Sequence, residues 1–75
     1  MSTKQTALAY ELADALNDKK SMEFYFVLVE KYSEEFLRDK LQIVMATAEE
    51  KITRSRAAYF NYLVTKHGKR HSSRD

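Results

Sequence analysis

The sequence predicts an all-α fold: a small bundle of three to four short helices around one core, with a disordered basic tail at the C-terminus. Three observations predict it. The 75 residues include no proline and a single glycine, so little in the chain interrupts a helix. Apolar residues recur every three or four positions in four segments. Serine, a preferred N-cap, precedes three of them. We assign residues 1–68 to one helical domain and 69–75 to a flexible basic tail.

The first helix begins at the N-terminal "STKQ". Ser2 can cap the helix while Gln5, three residues later, reaches back to it, which is the capping-box pattern. Leucine then recurs every fourth residue, with alanines beside it, so one apolar stripe is predicted at Leu8, Leu12 and Leu16. The polar pair "ND" after Leu16 is a plausible end.

The second helix is predicted to start at Ser21 as N-cap, with Glu23 in the first turn, where the helix dipole favours an anion. Its main apolar face contains Met22, Tyr25, Leu28, Val29 and Tyr32. Additional aromatic residues make the segment apolar nearly all round, so we expect it to lie centrally. The run "FYFVLV" would also suit a β-strand, but no second strand or hairpin turn is evident nearby.

The third helix has the clearest start, "YSEEFL". Ser33 is the predicted cap, the two glutamates fill the first turn, and Tyr32 can pack on Leu37 as a hydrophobic staple. The expected buried stripe, with Phe36 and Lys40 at its edge, is Leu37, Leu41, Val44, Met45 and Ala48.

The fourth helix lies in "RSRAAYFNYLVTKHGKR", with Phe60, Leu63, Val64 and His67 inward and Gly68 as the residue that ends it. Two starts are possible. A start near Thr53 or Ser55 places Arg54 and Arg56 at the positive end of the helix dipole, where cations are unfavourable unless an anion meets them. A start near Ala48, with "TAEE" as a capping box, would instead pair Glu50 with Arg54.

Charge is unevenly distributed along the chain. Residues 1–50 carry six Lys or Arg and ten Asp or Glu, a net charge of −4, whereas residues 51–75 carry seven and one, a net charge of +6. Such asymmetry between halves suggests a polyanionic partner. Part of it has a structural explanation, because cations near the end of a helix interact favourably with its dipole.

The leading interpretation is therefore a small nucleic-acid-binding module. One face of the fourth helix has small and hydroxyl-bearing residues beside an aromatic ring, a composition suited to a groove-facing helix. The candidate contacts are Arg54, Arg56, Asn61, Tyr62, Thr65, Lys66, Lys69, Arg70 and Arg74. The segment "AAYFNYLV" resembles stretches near the ends of some plasmid and phage replication proteins; it contains no diagnostic motif, and this resemblance only favours DNA over RNA.

The alternative interpretation is a protein-interaction or homo-oligomerisation domain. Nine aromatic residues are many for so small a core, so some could form an interface, and Phe24 and Phe26 on the second helix are the candidates. The two interpretations are compatible, because small DNA-binding domains often dimerise.

Several other functions are not supported by the sequence. No nucleophile triad or glycine-rich phosphate loop is present, so we expect no enzyme activity, and no cofactor or small-molecule substrate is implied. His67 and His71 have a metal-binding spacing but no third ligand nearby, so no metal site is predicted. With no cysteine, no secretory signal and a longest apolar run of six residues, we expect a cytoplasmic protein without membrane contact.

Overall fold

The computed structural model of the chain describes residues 1–72, with side chains described for residues 1–68. It confirms the all-α fold class. The four helices of this part are α1 (Thr3–Ala15), α2 (Met22–Lys31), α3 (Glu34–Ala46) and α4 (Arg56–Ser72). Short 3₁₀ turns at Lys19–Ser21 and Glu49–Lys51 precede α2 and α4. The described residues contain no strand, so "FYFVLV" is helical.

The chain divides into two compact units, Met1–Leu37 and Arg38–Asp75, and the division falls within α3. The predicted single domain over 1–68 spans both units and stays a prediction. None of the described helices is both long and apolar enough to cross a bilayer.

In the first unit, α1 and α2 form an antiparallel pair. The contacts between them run in opposite order along the two helices: the Met1 amino group lies 3.7 Å from Glu30, and the Tyr10 ring meets the Phe26 ring edge-on at 5.8 Å. The connecting turn places Asn17 at φ 54°, a left-handed conformation that asparagine tolerates. Buried apolar side chains fill this unit: Leu8, Ala9, Leu12, Ala13, Leu16, Tyr25, Leu28, Val29 and Leu37.

The start of α1 confirms the predicted capping box. The Gln5 backbone N–H donates to Ser2 Oγ at 3.1 Å, and the Ser2 N–H donates to Gln5 Oε1 at 2.8 Å. The Gln5 side chain also donates from Nε2 to the Val29 carbonyl oxygen at 3.0 Å, which links α1 to the end of α2. Gln5 therefore both completes the capping of α1 and stabilises a contact between α1 and α2.

At the start of α2 the position of the N-cap is confirmed but its chemistry differs from the prediction. Ser21 is the N-cap residue, yet its hydroxyl makes no capping hydrogen bond and instead donates to Asp18 Oδ1 at 3.1 Å. The second oxygen of Asp18 accepts from the buried Tyr25 hydroxyl at 3.0 Å. The preceding 3₁₀ turn places the hydroxyl near this carboxylate, so the Ser21 side chain stabilises the turn rather than the start of α2.

The start of α3 confirms Ser33 as the cap, because the Phe36 N–H donates to Ser33 Oγ at 3.2 Å. Tyr32 stacks on the Phe36 ring at a centroid distance of 5.1 Å. Leu37 and Val44 are fully buried, as predicted.

The rest of the buried stripe predicted for α3 is partly wrong. Met45 is 50% exposed and Ala48 is exposed beyond the helix end at Ala46, whereas Lys40 is only 9% exposed and lies 2.9 Å from Asp39. At 3.6 residues per turn, Lys40 and Val44 fall within about 60° of Leu37, but Met45 falls about 80° away on the other side. The buried face of α3 therefore includes Lys40 and excludes Met45.

In the second unit, α4 confirms most of the predicted inward stripe: Phe60, Leu63 and Val64 are buried and His67 is half-buried. The predicted helix end is wrong, because α4 continues through Gly68 to Ser72 and no glycine has a positive φ in the described range. Gly68 is buried and adds no side chain to the packing around it. Residues 69–72 of the predicted tail are thus helical, and 73–75 lie outside the described residues.

Candidate nucleic-acid interface

The start of α4 decides between the two sequence-based alternatives. The helix begins at Arg56, and the Ser55 hydroxyl accepts a 3.1 Å hydrogen bond from the Ala58 N–H, so Ser55 caps it. The start near Ala48 is wrong, because Glu49–Lys51 forms a separate 3₁₀ turn and Ile52 is extended. The Thr47 hydroxyl, required for the alternative capping box, instead donates to the Ile43 carbonyl at 2.7 Å.

The later start changes how the basic residues are paired. Glu50 and Arg54 do not share a helix, so the proposed pair four residues apart is wrong. The acidic partner is instead Glu49, whose Oε2 lies 3.6 Å from Arg56 Nη1. The Glu49 side chain is 85% exposed, so water screens this pair and its contribution to stability is small.

Arg56 lies in line with the buried residues Phe60 and Leu63 of α4, and its guanidinium is partly buried. Its side chain is 33% exposed. The Nε atom is buried, and no acceptor within the described part of the chain bonds it. The Nη1 atom faces Glu49. Arg56 is therefore both a structural residue of α4 and a surface cation.

A cavity of about 340 Å³ lies at the start of α4, entirely within the second unit. We call it the α4 cavity. It brings together residues from the loop before α4 and from its first two turns: Lys51, Ile52, Thr53, Arg54, Ser55, Ala58, Tyr59 and Tyr62. Two of these residues are cations, two are tyrosines, and none is acidic. This juxtaposition of positive charge with aromatic rings is the central feature of the site.

The cations of the cavity keep their charge available to a ligand. Lys51 and Arg54 are both exposed, and among residues 1–72 no carboxylate forms an ion pair with either. The first turn of α4 contains no acidic residue, so the partial positive charge of the helix N-terminus adds to theirs. Two acidic residues precede the cavity lining in the sequence: Glu49, which is engaged with Arg56, and Glu50, which is exposed.

The exposed face of α4 continues from the cavity toward the C-terminus. Tyr62 is 54% exposed, and Lys66 Nζ lies 5.5 Å from its ring centroid and 3.2 Å from its hydroxyl oxygen. On the neighbouring strip, the Thr65 hydroxyl donates to Asn61 Oδ1 at 3.3 Å. That bond leaves the Asn61 amide N–H groups free to donate to a ligand.

The structure brings together only part of the predicted nucleic-acid surface. Arg54 and Tyr62 line the cavity, and Asn61, Thr65 and Lys66 follow on the exposed part of α4. Arg56 lies opposite Thr65 around the helix, in line with the buried residues. Lys69 and Arg70 belong to the last turns of the same helix, and their side chains are not described; Arg74 lies outside the described residues. We name Lys51, Arg54, Arg56, Tyr62 and Lys66 together the α4 basic surface.

Of the eight residues that line the cavity, only Arg54 and Tyr62 are among the candidates predicted from the sequence. The place of Lys51 depends on how the chain turns between α3 and α4, so its charge alone does not assign it to a site. Tyr59 is half-buried, and its position beside the inward stripe of α4 gives no signal of a cavity. The residue that could have indicated a cavity from the sequence is Ile52, because it is apolar within an otherwise polar stretch before a helix cap.

The predicted protein-interface residues occupy a different unit. Phe24 and Phe26 on α2 are half-buried, and each ring already has an aromatic neighbour. Phe24 meets the Tyr25 ring edge-on at 5.2 Å, and Phe26 meets Tyr10. The more exposed apolar side chains of this unit are Tyr10 and Val27, at 56% and 57%. The interface on α2 stays a prediction.

Within the described residues, no group of three or more His, Asp or Glu side chains is arranged to hold a metal ion. His67 is half-buried, and the side chain of its potential partner His71 is not described. Comparison of the chain with protein-family models, with curated proteins and with solved structures finds no match.

Proposed function

We propose that the protein binds nucleic acid, with DNA favoured over RNA, through the α4 basic surface. The observation that carries this proposal is the lining of the α4 cavity, where Lys51 and Arg54 lie beside two tyrosines without any acidic residue. Most hydrogen bonds between proteins and DNA go to phosphate and sugar, and cations, hydroxyls and helix N-termini supply them. All three kinds of donor are present at this site.

The charge of the surface supports a polyanion as ligand. Residues 49–66 carry the four cations of this surface and two carboxylates, Glu49 and Glu50, which leaves a net charge of +2. Small anions would be held weakly at exposed lysines and arginines in physiological salt. A chain of phosphates can engage several of these cations at once and releases counterions as it binds, which makes the interaction favourable.

Salt dependence gives the direct test. If Lys51, Arg54, Arg56 and Lys66 each neutralise one phosphate, the slope of log K against log salt is about −2.8 for a single strand and −3.6 for a duplex. Affinity then falls about 50- to 150-fold between about 50 and 200 mM salt. Titration of the full chain with labelled DNA of both forms measures this. No binding of either form at about 50 mM salt would disprove the proposed function.

A pair of charge reversals locates the contact surface. Arg54→Glu changes the net charge by −2 at the cavity, and Lys4→Glu makes the same change on α1, away from the cavity lining. We expect Arg54→Glu to lower affinity about tenfold or more and to reduce the magnitude of the salt slope by about 1. Lys4→Glu should change affinity only through net charge. Equal losses in the two variants would show that the binding is not localised to α4.

A further inference from the structure

The lining of the α4 cavity also indicates which form of nucleic acid enters it. We infer that the ligand is single-stranded and that one unpaired base occupies the α4 cavity against Tyr62, while Lys51 and Arg54 hold the flanking phosphates. This inference rests on the proposed nucleic-acid binding and specifies its substrate class.

The volume and the apolar part of the lining fit a single planar group. Ligand cavities in proteins span about 300–1,000 Å³, and the α4 cavity is near the lower limit at about 340 Å³. It cannot accept a double helix, but one ring system can enter between Ile52, Ala58 and the two tyrosines. Every base has a flat face that stacks on an aromatic ring, so such a site needs no particular sequence.

Tyr62 is the ring best placed to stack. It is 54% exposed, whereas Tyr59 is half-buried. Lys66, one turn further along α4, lies 3.2 Å from the Tyr62 hydroxyl and fixes a positive charge beside the ring. Proteins that bind single strands combine these two elements, a line of cations along the backbone and aromatic side chains that take the bases.

A duplex would have to break a base pair to use this cavity. Unstacking and unpairing one base costs a few kcal/mol, and the cost is least for a strand that is already single. The structure therefore predicts a preference for single strands that depends on the base and on Tyr62, in addition to the charge-dependent binding that both forms share.

Three short fluorescent probes with equal numbers of phosphates separate these contributions: oligothymidine, the same strand with abasic sites, and a duplex. At about 50 mM salt we expect oligothymidine to bind about 5- to 160-fold more tightly than the abasic strand, the range that stacking contributes per base. Tyr62→Ala should remove this difference. Tyr62→Phe, which keeps the ring, should retain it.

Tyr10→Ala is the matched control, because Tyr10 is equally exposed, at 56%, and lies on α1. It should not affect discrimination between the probes. Equal, salt-dependent binding of oligothymidine and the abasic strand would overturn the single-strand inference while nucleic-acid binding stands. An oligothymidine affinity that Tyr62→Ala does not reduce would overturn it as well. No binding of any probe would instead disprove the proposed function itself.

Discussion

Glu49 Oε2 lies 3.6 Å from Arg56 Nη1, so within the described residues the acidic side chain that pairs with the start of α4 comes from the 3₁₀ turn before it. This pair affects how much of the positive charge at the start of α4 is available to a ligand. It is solvent-exposed on the glutamate side and weak. A polyanion can therefore compete with Glu49 for Arg56, and the carboxylate acts as an internal competitor of the proposed ligand.

Removing that competitor should strengthen binding. We expect Glu49→Gln to raise the affinity for oligothymidine by about 1.4- to 5-fold at low salt, the range that corresponds to an exposed ion pair. The gain should shrink as salt increases. Fluorescence anisotropy titrations at two salt concentrations measure it. Glu23→Gln on α2, which makes the same change of charge, is the control, and an equal gain in that variant would contradict a specific role for Glu49.

The cap of α4 offers a substitution that separates folding from binding. Ser55→Ala removes the acceptor for the Ala58 N–H and should lower the free energy of unfolding by about 1 kcal/mol. Ser55→Asp keeps an acceptor at the N-cap, so stability should be retained, but it adds a negative charge to the lining of the α4 cavity. We expect Ser55→Asp to bind nucleic acid more weakly than wild type despite equal stability in urea denaturation. Wild-type affinity in Ser55→Asp would argue against phosphates at this position.

Tyr25 makes the stability of the first unit sensitive to high pH. Burial, and secondarily the hydrogen bond to Asp18 and its negative charge, raise the pKa of the Tyr25 phenol well above its ordinary value of about 10. Above pH 10 the unfolded chain releases this proton while the folded chain keeps it. The contribution to stability is therefore complete below about pH 10 and decreases by about 1.4 kcal/mol per pH unit above it.

Denaturation of wild type and Tyr25→Phe across this range tests the titration. Phenylalanine cannot ionise, so the difference in unfolding free energy between the two proteins should shift in favour of Tyr25→Phe as the pH rises above 10. At neutral pH the variant loses the hydrogen bond to Asp18, with a cost of about 1–3 kcal/mol because an ionised acceptor is involved. Parallel stability curves for the two proteins would contradict the burial of a neutral Tyr25 phenol.

Neighbouring residues on α3 test the corrected register of that helix. Val44 is fully buried, so Val44→Ala should lower the free energy of unfolding by about 1–3 kcal/mol through lost burial and an unfilled cavity. Met45 is 50% exposed, and Met45→Ala should change it by less than about 0.5 kcal/mol. Urea denaturation of both variants measures this difference. A larger loss of unfolding free energy for Met45→Ala than for Val44→Ala would support the register that the sequence pattern predicted.

Local signals in the sequence predicted the helices well because those signals act within one helical turn. The capping box of Ser2 and Gln5, the cap at Ser33 and the leucine stripe of α1 depend on residues three or four positions apart, and the structure confirms them. The same reasoning failed at Gly68, because glycine permits a helix to end but does not require it. It left the start of α4 open, because two capping patterns compete there, at Thr47 and at Ser55.

By itself the sequence determined the all-α fold, the four helices of the described residues and the concentration of positive charge after residue 50, since spacing and composition fix these. Tertiary structure alone decided that Lys40 rather than Met45 is buried, that Glu49 pairs with Arg56, and that Lys51 and Ile52 line a cavity with Tyr62. The physical reason is that burial on α3 depends on which parts of the chain pack against it, and the other two outcomes depend on the direction of the chain between α3 and α4. A few backbone torsions in residues 47–55 set that direction, and no periodic pattern in the sequence encodes them.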